Sequence, residues 1–96
     1  MGKISISYFG KMINLPSPGE LNYLCDKIKN DIPCKTIILN KRTNSIATPT
    51  SMLNMLNLKL QNGDEIEFIL LADTEHELST YGKKVKEILS KYIKFN

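Results

Sequence analysis

Apolar residues fall along this chain in two rhythms, and the places where one gives way to the other mark out its elements. Ile4, Ile6 and Tyr8 alternate with Lys3, Ser5 and Ser7, the period of two that predicts a half-buried strand over residues 3–9. Gly10 to Ser17 is a loop that delivers the chain to Ser17-Pro18-Gly19-Glu20. That tetrad has the form of a capping box, with a serine N-cap, a proline at the first helical position and a glutamate able to reach back. Leu21, Leu24, Cys25 and Ile28 then recur at helical spacing until Asn30-Asp31 and Pro33 stop them.

Thr36-Ile37-Ile38-Leu39 is a β-branched run, Lys41-Arg42-Thr43-Asn44 a polar turn, and Ser45-Ile46-Ala47-Thr48 a short return strand, which together predict a hairpin. Cap residues Thr48, Thr50 and Ser51 precede Met52, Leu53, Met55, Leu56 and Leu58, a helix too short to stand without packing. Beyond the turn Gln61-Asn62-Gly63-Asp64, Ile66, Phe68 and Leu70 alternate as a strand, with Ile69 and Leu71 directed to its other face. Thr74 and Glu77 form a second capping-box pattern, and Leu78, Tyr81, Val85, Ile88, Leu89, Tyr92 and Ile93 mark one helical face over about five turns.

The predicted order is βαββαβα. One tight hairpin among four strands requires the other connections to cross over helices. The expectation is therefore α+β: a four-stranded, mainly antiparallel open-faced sandwich with three helices on one face, in a single domain spanning 1–96. Ninety-six residues leave no room for a second lobe, and 42% hydrophobic with 24% charged residues are the proportions of an ordinary globule. No apolar run is long enough for a signal peptide or a membrane span, so the expected location is cytoplasmic and no membrane partner is expected. Cys25 and Cys34 lack disulfide or zinc spacing and read as reduced thiols. A net charge of +3, with lysines concentrated near the C-terminus, is mild basicity rather than a nucleic-acid signature.

Ser51-Met52-Leu53-Asn54-Met55-Leu56-Asn57-Leu58 followed by Gln61-Asn62-Gly63-Asp64-Glu65-Ile66 resembles the second half of HPr, the small phosphocarrier of the bacterial sugar phosphotransferase system. In that family a serine opens a short apolar helix, and a Gly-containing turn, a strand and a long C-terminal helix follow. The order of elements is similar over about residues 3 to 92. A β-grasp domain is the nearest alternative, but its functional Gly-Gly tail has no counterpart. The family's phosphohistidine stands at the start of the first helix, followed by an arginine and a proline. Alignment on Leu24, Cys25 and Ile28 puts Ser17 at the histidine position, Gly19 at the arginine and Glu20 at the proline. No histidine or arginine occurs before Arg42, and the single histidine is His76.

The resemblance further implies that Ser51 stands where the family carries a regulatory serine, which a dedicated kinase phosphorylates in Gram-positive relatives to create a co-repressor of carbon catabolism. Asn54 replaces the usual small glycine. Ser51 is thus both a helix cap and a candidate phosphorylation site, and Met52, Leu53, Met55 and Leu56 are both core formers and candidates for partner binding. His76, alone in an acidic turn, is no metal site, and no catalytic, cofactor or metal motif is present. The expected function is a non-catalytic, HPr-like regulatory or interaction protein whose partner is a regulator, a kinase or a phosphotransferase component. The alternatives are a phosphocarrier-type component of that system and a weak RNA-binding module using Lys83, Lys84, Lys86, Lys91 and Lys94. Ile69 and Leu71 beside Ile37 or Leu39 on an open sheet face add an expectation of homodimerisation.

Overall fold

The computed structural model describes residues 3–96; Met1 and Gly2, the head of the predicted 1–96 domain, lie outside the described residues. Strand β1 (Ile4–Met12) leads to helix α1 (Pro18–Asp31), the hairpin β2 (Lys35–Asn40) and β3 (Ser45–Ala47), and the short helix α2 (Met52–Leu56). Strand β4 (Glu65–Ala72), helix α3 (Glu75–Leu89) and strand β5 (Ile93–Phe95) follow. The class is α+β as expected, with three helices, but the sheet has five strands in the order β3-β2-β4-β1-β5, and every pairing is antiparallel. β4 sits between β1 and β2, and β1 sits between β4 and β5. Two split β–α–β units therefore interlock.

The fifth strand corrects the sequence reading. The stripe expected to run through Tyr92 and Ile93 leaves the helix at Leu89, where the Ser90 hydroxyl donates to the Glu87 carbonyl at 2.9 Å. The chain then turns so that Ile93 pairs with Met12 and Phe95 with Gly10. Helical spacing cannot separate these states, because Tyr92 and Ile93 are buried either way. What permits the strand is Gly10: a Cβ there would lie 2.8 Å from the Lys94 carbonyl oxygen and 2.7 Å from Ile93 Cγ2.

One sheet face carries Ile66, Phe68 and Leu70 of β4 with Thr36, Ile38 and Asn40 of β2, all buried. Leu24, Cys25 and Ile28 of α1, Met55 of α2 and Val85 and Leu89 of α3 complete the same core. The other face shows Ile37 paired with Ile69 in register, the adjacency expected from alternation, and all of Ile37, Leu39, Ile69 and Leu71 are half-buried. Caps fall where the pattern put them. Ser17 forms a full capping box with Glu20, and Ser51 and Thr74 accept from the amides three residues on. Glu77, however, reaches the Thr74 hydroxyl rather than its backbone amide, so the second box is only half made.

Candidate functional site

Two of the segments singled out in the sequence converge. The loop before α1 contributes Leu15 and Pro16, and α2 contributes Met55 and Leu56, to one groove of about 220 Å³ closed by Leu21, Lys59 and Leu60. On α2 the four candidate binding residues divide. Met55 is 7% exposed and belongs to the core while still lining the groove, and Met52 packs half-buried against that core. Leu53 and Leu56, three apart and hence on one side of the helix, are 75% and 53% exposed. Four apolar residues, Met52, Leu53, Met55 and Leu56, encircle a helix of barely more than one turn, so packing can cover only part of them, whereas Leu58, beyond its C-cap, is fully buried.

Ser51 caps α2. Its hydroxyl accepts from the Asn54 amide at 3.3 Å and from Asn54 Nδ2 at 3.2 Å, so Asn54 braces the serine rather than crowding it. Asn54 also ties back to the Thr48 amide at 3.5 Å. Ser51 remains partly exposed.

At the start of α1, Ser17 is occupied as a cap, its hydroxyl accepting from the Glu20 amide at 3.2 Å. The Glu20 carboxylate lies where an incoming anion would seek free amides. It accepts from the Ser17 amide at 3.1 Å, from the Tyr92 hydroxyl at 2.6 Å and from Lys91 Nζ at 2.9 Å. The Tyr92 hydrogen bond leads the interactions that lower its pKa from the ordinary 4.5 to about 2. The helix N-terminus thus holds its own anion, on partners more than seventy residues away that no local motif reveals. A carboxyl whose folded pKa is depressed contributes stability above its unfolded pKa and loses it as pH falls through the folded one. Unfolding stability should therefore decline between pH 4.5 and 2, and Glu20→Gln should flatten that decline; equal slopes in acid titrations of the two proteins would show that the contact carries no stability.

A third cluster went unread in the sequence. Asn40, fully buried, donates from Nδ2 to the Leu58 carbonyl at 2.9 Å and to Asp64 Oδ2 at 3.0 Å. Arg42 Nε donates to Asp64 Oδ1 at 2.7 Å and its terminal nitrogen to the Lys59 carbonyl at 2.6 Å. The Gln61 amide also donates to Asp64 at 2.8 Å. This cluster fixes the segment from α2 to β4, including Lys59 in the left-handed region (φ 50), and so sets how the groove's α2 wall sits. Asp64 ionises below the ordinary carboxylate range, chiefly because of the Arg42 hydrogen bond.

His76 is exposed, and among the described residues no group of three His, Cys, Asp or Glu side chains gathers as metal ligands. Of the C-terminal lysines, Lys86 lies over the Tyr8 ring at 4.4 Å and Lys91 is bound to Glu20. Among the described residues no helix is long and apolar enough to cross a membrane. Comparison with protein-family models, with curated proteins and with solved structures returns no match.

Proposed function

We propose that this protein is a non-catalytic, HPr-like interaction module of the cytoplasm that binds a protein partner through the side of α2 presenting Leu53 and Leu56 and is switched by phosphorylation at Ser51. The observation that carries the reading is that the short helix α2 presents two large leucines to solvent, beside an apolar groove and next to a partly exposed serine that caps it. Adjacent exposed apolar groups of this kind mark contact sites. Phosphocarrier activity is disfavoured on chemical grounds. Ser17 would give a stable phosphate ester rather than a labile phosphoramidate, and the Glu20 carboxylate repels a phosphoryl group from the same amides. The paralogue class that keeps the serine and lacks the histidine offers the nearest analogy for a regulatory role.

Incubation with an HPr-type serine kinase and ATP tests both parts. Wild type should acquire one phosphate, Ser51→Ala none, and the double variant Leu53→Asp, Leu56→Asp should be modified at least tenfold more slowly with an unchanged melting temperature, since both leucines are exposed. A kinase that modifies authentic HPr in the same tube and leaves this chain untouched removes the switch. Phosphate appearing on His76 from phosphoenolpyruvate and the system's first enzyme would return the phosphocarrier reading.

A further inference from the structure

β1 changes character along its length. Gly10 and Met12, where β5 lies alongside, are buried, whereas Ile4 and Ile6 are each 37% exposed although their register with Ala72 and Leu70 places them on the helix-covered face. β4 pairs with β1 from Ile4 to Lys11, but on the other side β5 reaches only Gly10 to Met12. The Asn96 amide then takes the Phe9 carbonyl at 2.9 Å, and among the described residues nothing pairs with this edge from Ile4 to Tyr8. The Ile13 amide also donates across this side, to the Tyr92 carbonyl, while the Met12 amide donates to Asp64 on the β4 side. Odd-numbered residues of β1 therefore direct their backbone groups outward, and Ser5 and Ser7 present two amides and two carbonyls to an empty lane. Beside that lane, between β1 and α3, runs a groove of about 470 Å³ lined by Ile6, Tyr8, Leu78 and Gly82, with Glu75 at one end and Lys83 and Lys86 at the other.

We propose that this edge binds a second copy of the chain, two β1 strands pairing antiparallel about a two-fold axis at Ile6 so that the sheets join into one of ten strands. One register pairs the two open serines with each other. Outward-facing residues must meet outward-facing residues, and Phe9 is already used by Asn96, so Ser5 of each copy stands opposite Ser7 of the other. The five open residues then fill the space between the two β5 strands. Ile6 meets Ile6 and Ile4 meets Tyr8 on the helix side, which covers the exposed isoleucines.

Charge supports a copy over an unrelated strand. Glu75 opens α3 just after β4 ends beside Ile4, and Lys86 lies over the ring of Tyr8. The two-fold brings the Ile4 end of one copy against the Tyr8 end of the other, so that Glu75 faces Lys83 and Lys86 of the second copy at both ends of the seam. The open sheet face is the weaker route to self-association, since Glu65, Glu67 and Lys35 interrupt its half-buried isoleucines and leucines. A contact this short makes a weak dimer, populated at roughly 100 μM and above.

Sedimentation equilibrium should show the average mass rising from 10.9 kDa toward twice that value with concentration, and the Ser5 and Ser7 amides should become protected from hydrogen exchange over the same range. Ser7→Pro removes an outward amide that no strand pairing among the described residues uses, so it should remain folded by circular dichroism and stay monomeric. Lys86→Glu should weaken the dimer at least fivefold, and adding Glu75→Lys should restore it. A monomer at millimolar concentration, association that survives in folded Ser7→Pro, association lost in Ile69→Lys but not in Ser7→Pro, or Ser5 and Ser7 amides that stay exchangeable in a dimer would each overturn the proposal. The amide measurement needs no variant to fold.

Discussion

Asp64→Ala should lower the unfolding free energy by about 3 kcal/mol and the melting temperature by roughly 12–20 °C, the largest effect expected of any polar substitution in this protein. The carboxylate is buried and accepts from Arg42, Asn40 and the Gln61 amide, so its removal leaves one charged and two neutral donors without their acceptor. Breaking a buried ion pair costs about 3–5 kcal/mol where both charges are enclosed. Arg42 is 41% exposed and can return to water, which places the loss at the lower end. Asp64→Asn retains one acceptor oxygen but turns an amide toward donors, and it should cost about half as much. Arg42→Ala should cost less still, because Asn40 and Gln61 continue to satisfy the carboxylate. Chemical denaturation of the three variants checks the order; an Asp64→Ala loss below 1 kcal/mol would mean that the cluster is not what holds the α2 to β4 segment.

That cluster also shows what a local reading of the chain cannot see. Asn40 ends a β-branched run and Asp64 follows Gly63, so both resemble ordinary turn residues. Their burial depends on β2 and β4 lying side by side, a pairing between segments separated by a helix and a hairpin. Elements whose signal is local were legible. The capping box at Ser17 and the stripe through Leu24, Cys25 and Ile28 place α1 within a residue, and alternation places the Ile37–Ile69 pair on the open face.

Of the candidate site, Leu53 and Leu56 could be told apart from Met55 only once the direction of a helix of little more than one turn was known. The division within Met52–Leu58 is set by tertiary packing, and apolar residues on nearly every side of a short helix carry no moment to reveal it. Ser17 and Ser51 both proved to be caps, as their spacing to Glu20 and to Asn54 implies.

β5 was the element most deeply hidden, and Gly10 is the residue through which it can be released. Gly10→Ala should destabilise the protein by about 2 kcal/mol, because the new methyl must displace either Ile93 Cγ2 or the Lys94 backbone carbonyl. A flexible side chain could yield, but a carbonyl held between two paired strands cannot without breaking the β1–β5 ladder. The cost has a ceiling. Once β5 detaches, strain ends, and what has been lost is the burial of Ile93, worth about 1.5–3 kcal/mol, together with a ladder three residue pairs long. The variant should therefore remain folded while its C-terminal strand opens, which distinguishes it from Asp64→Ala, where stability falls throughout the domain. Hydrogen exchange should show the Asn96 amide losing protection while amides of the β1–β4 ladder keep theirs, and limited proteolysis should remove residues 93–96 from Gly10→Ala before it cuts elsewhere. Detachment would also lengthen the open edge of β1 from Tyr8 to Met12. If two copies pair along that edge, Gly10→Ala should associate more strongly than wild type even though each copy is less stable, and unchanged association in a variant whose β5 is shown to be open would mean that β5 does not bound the seam.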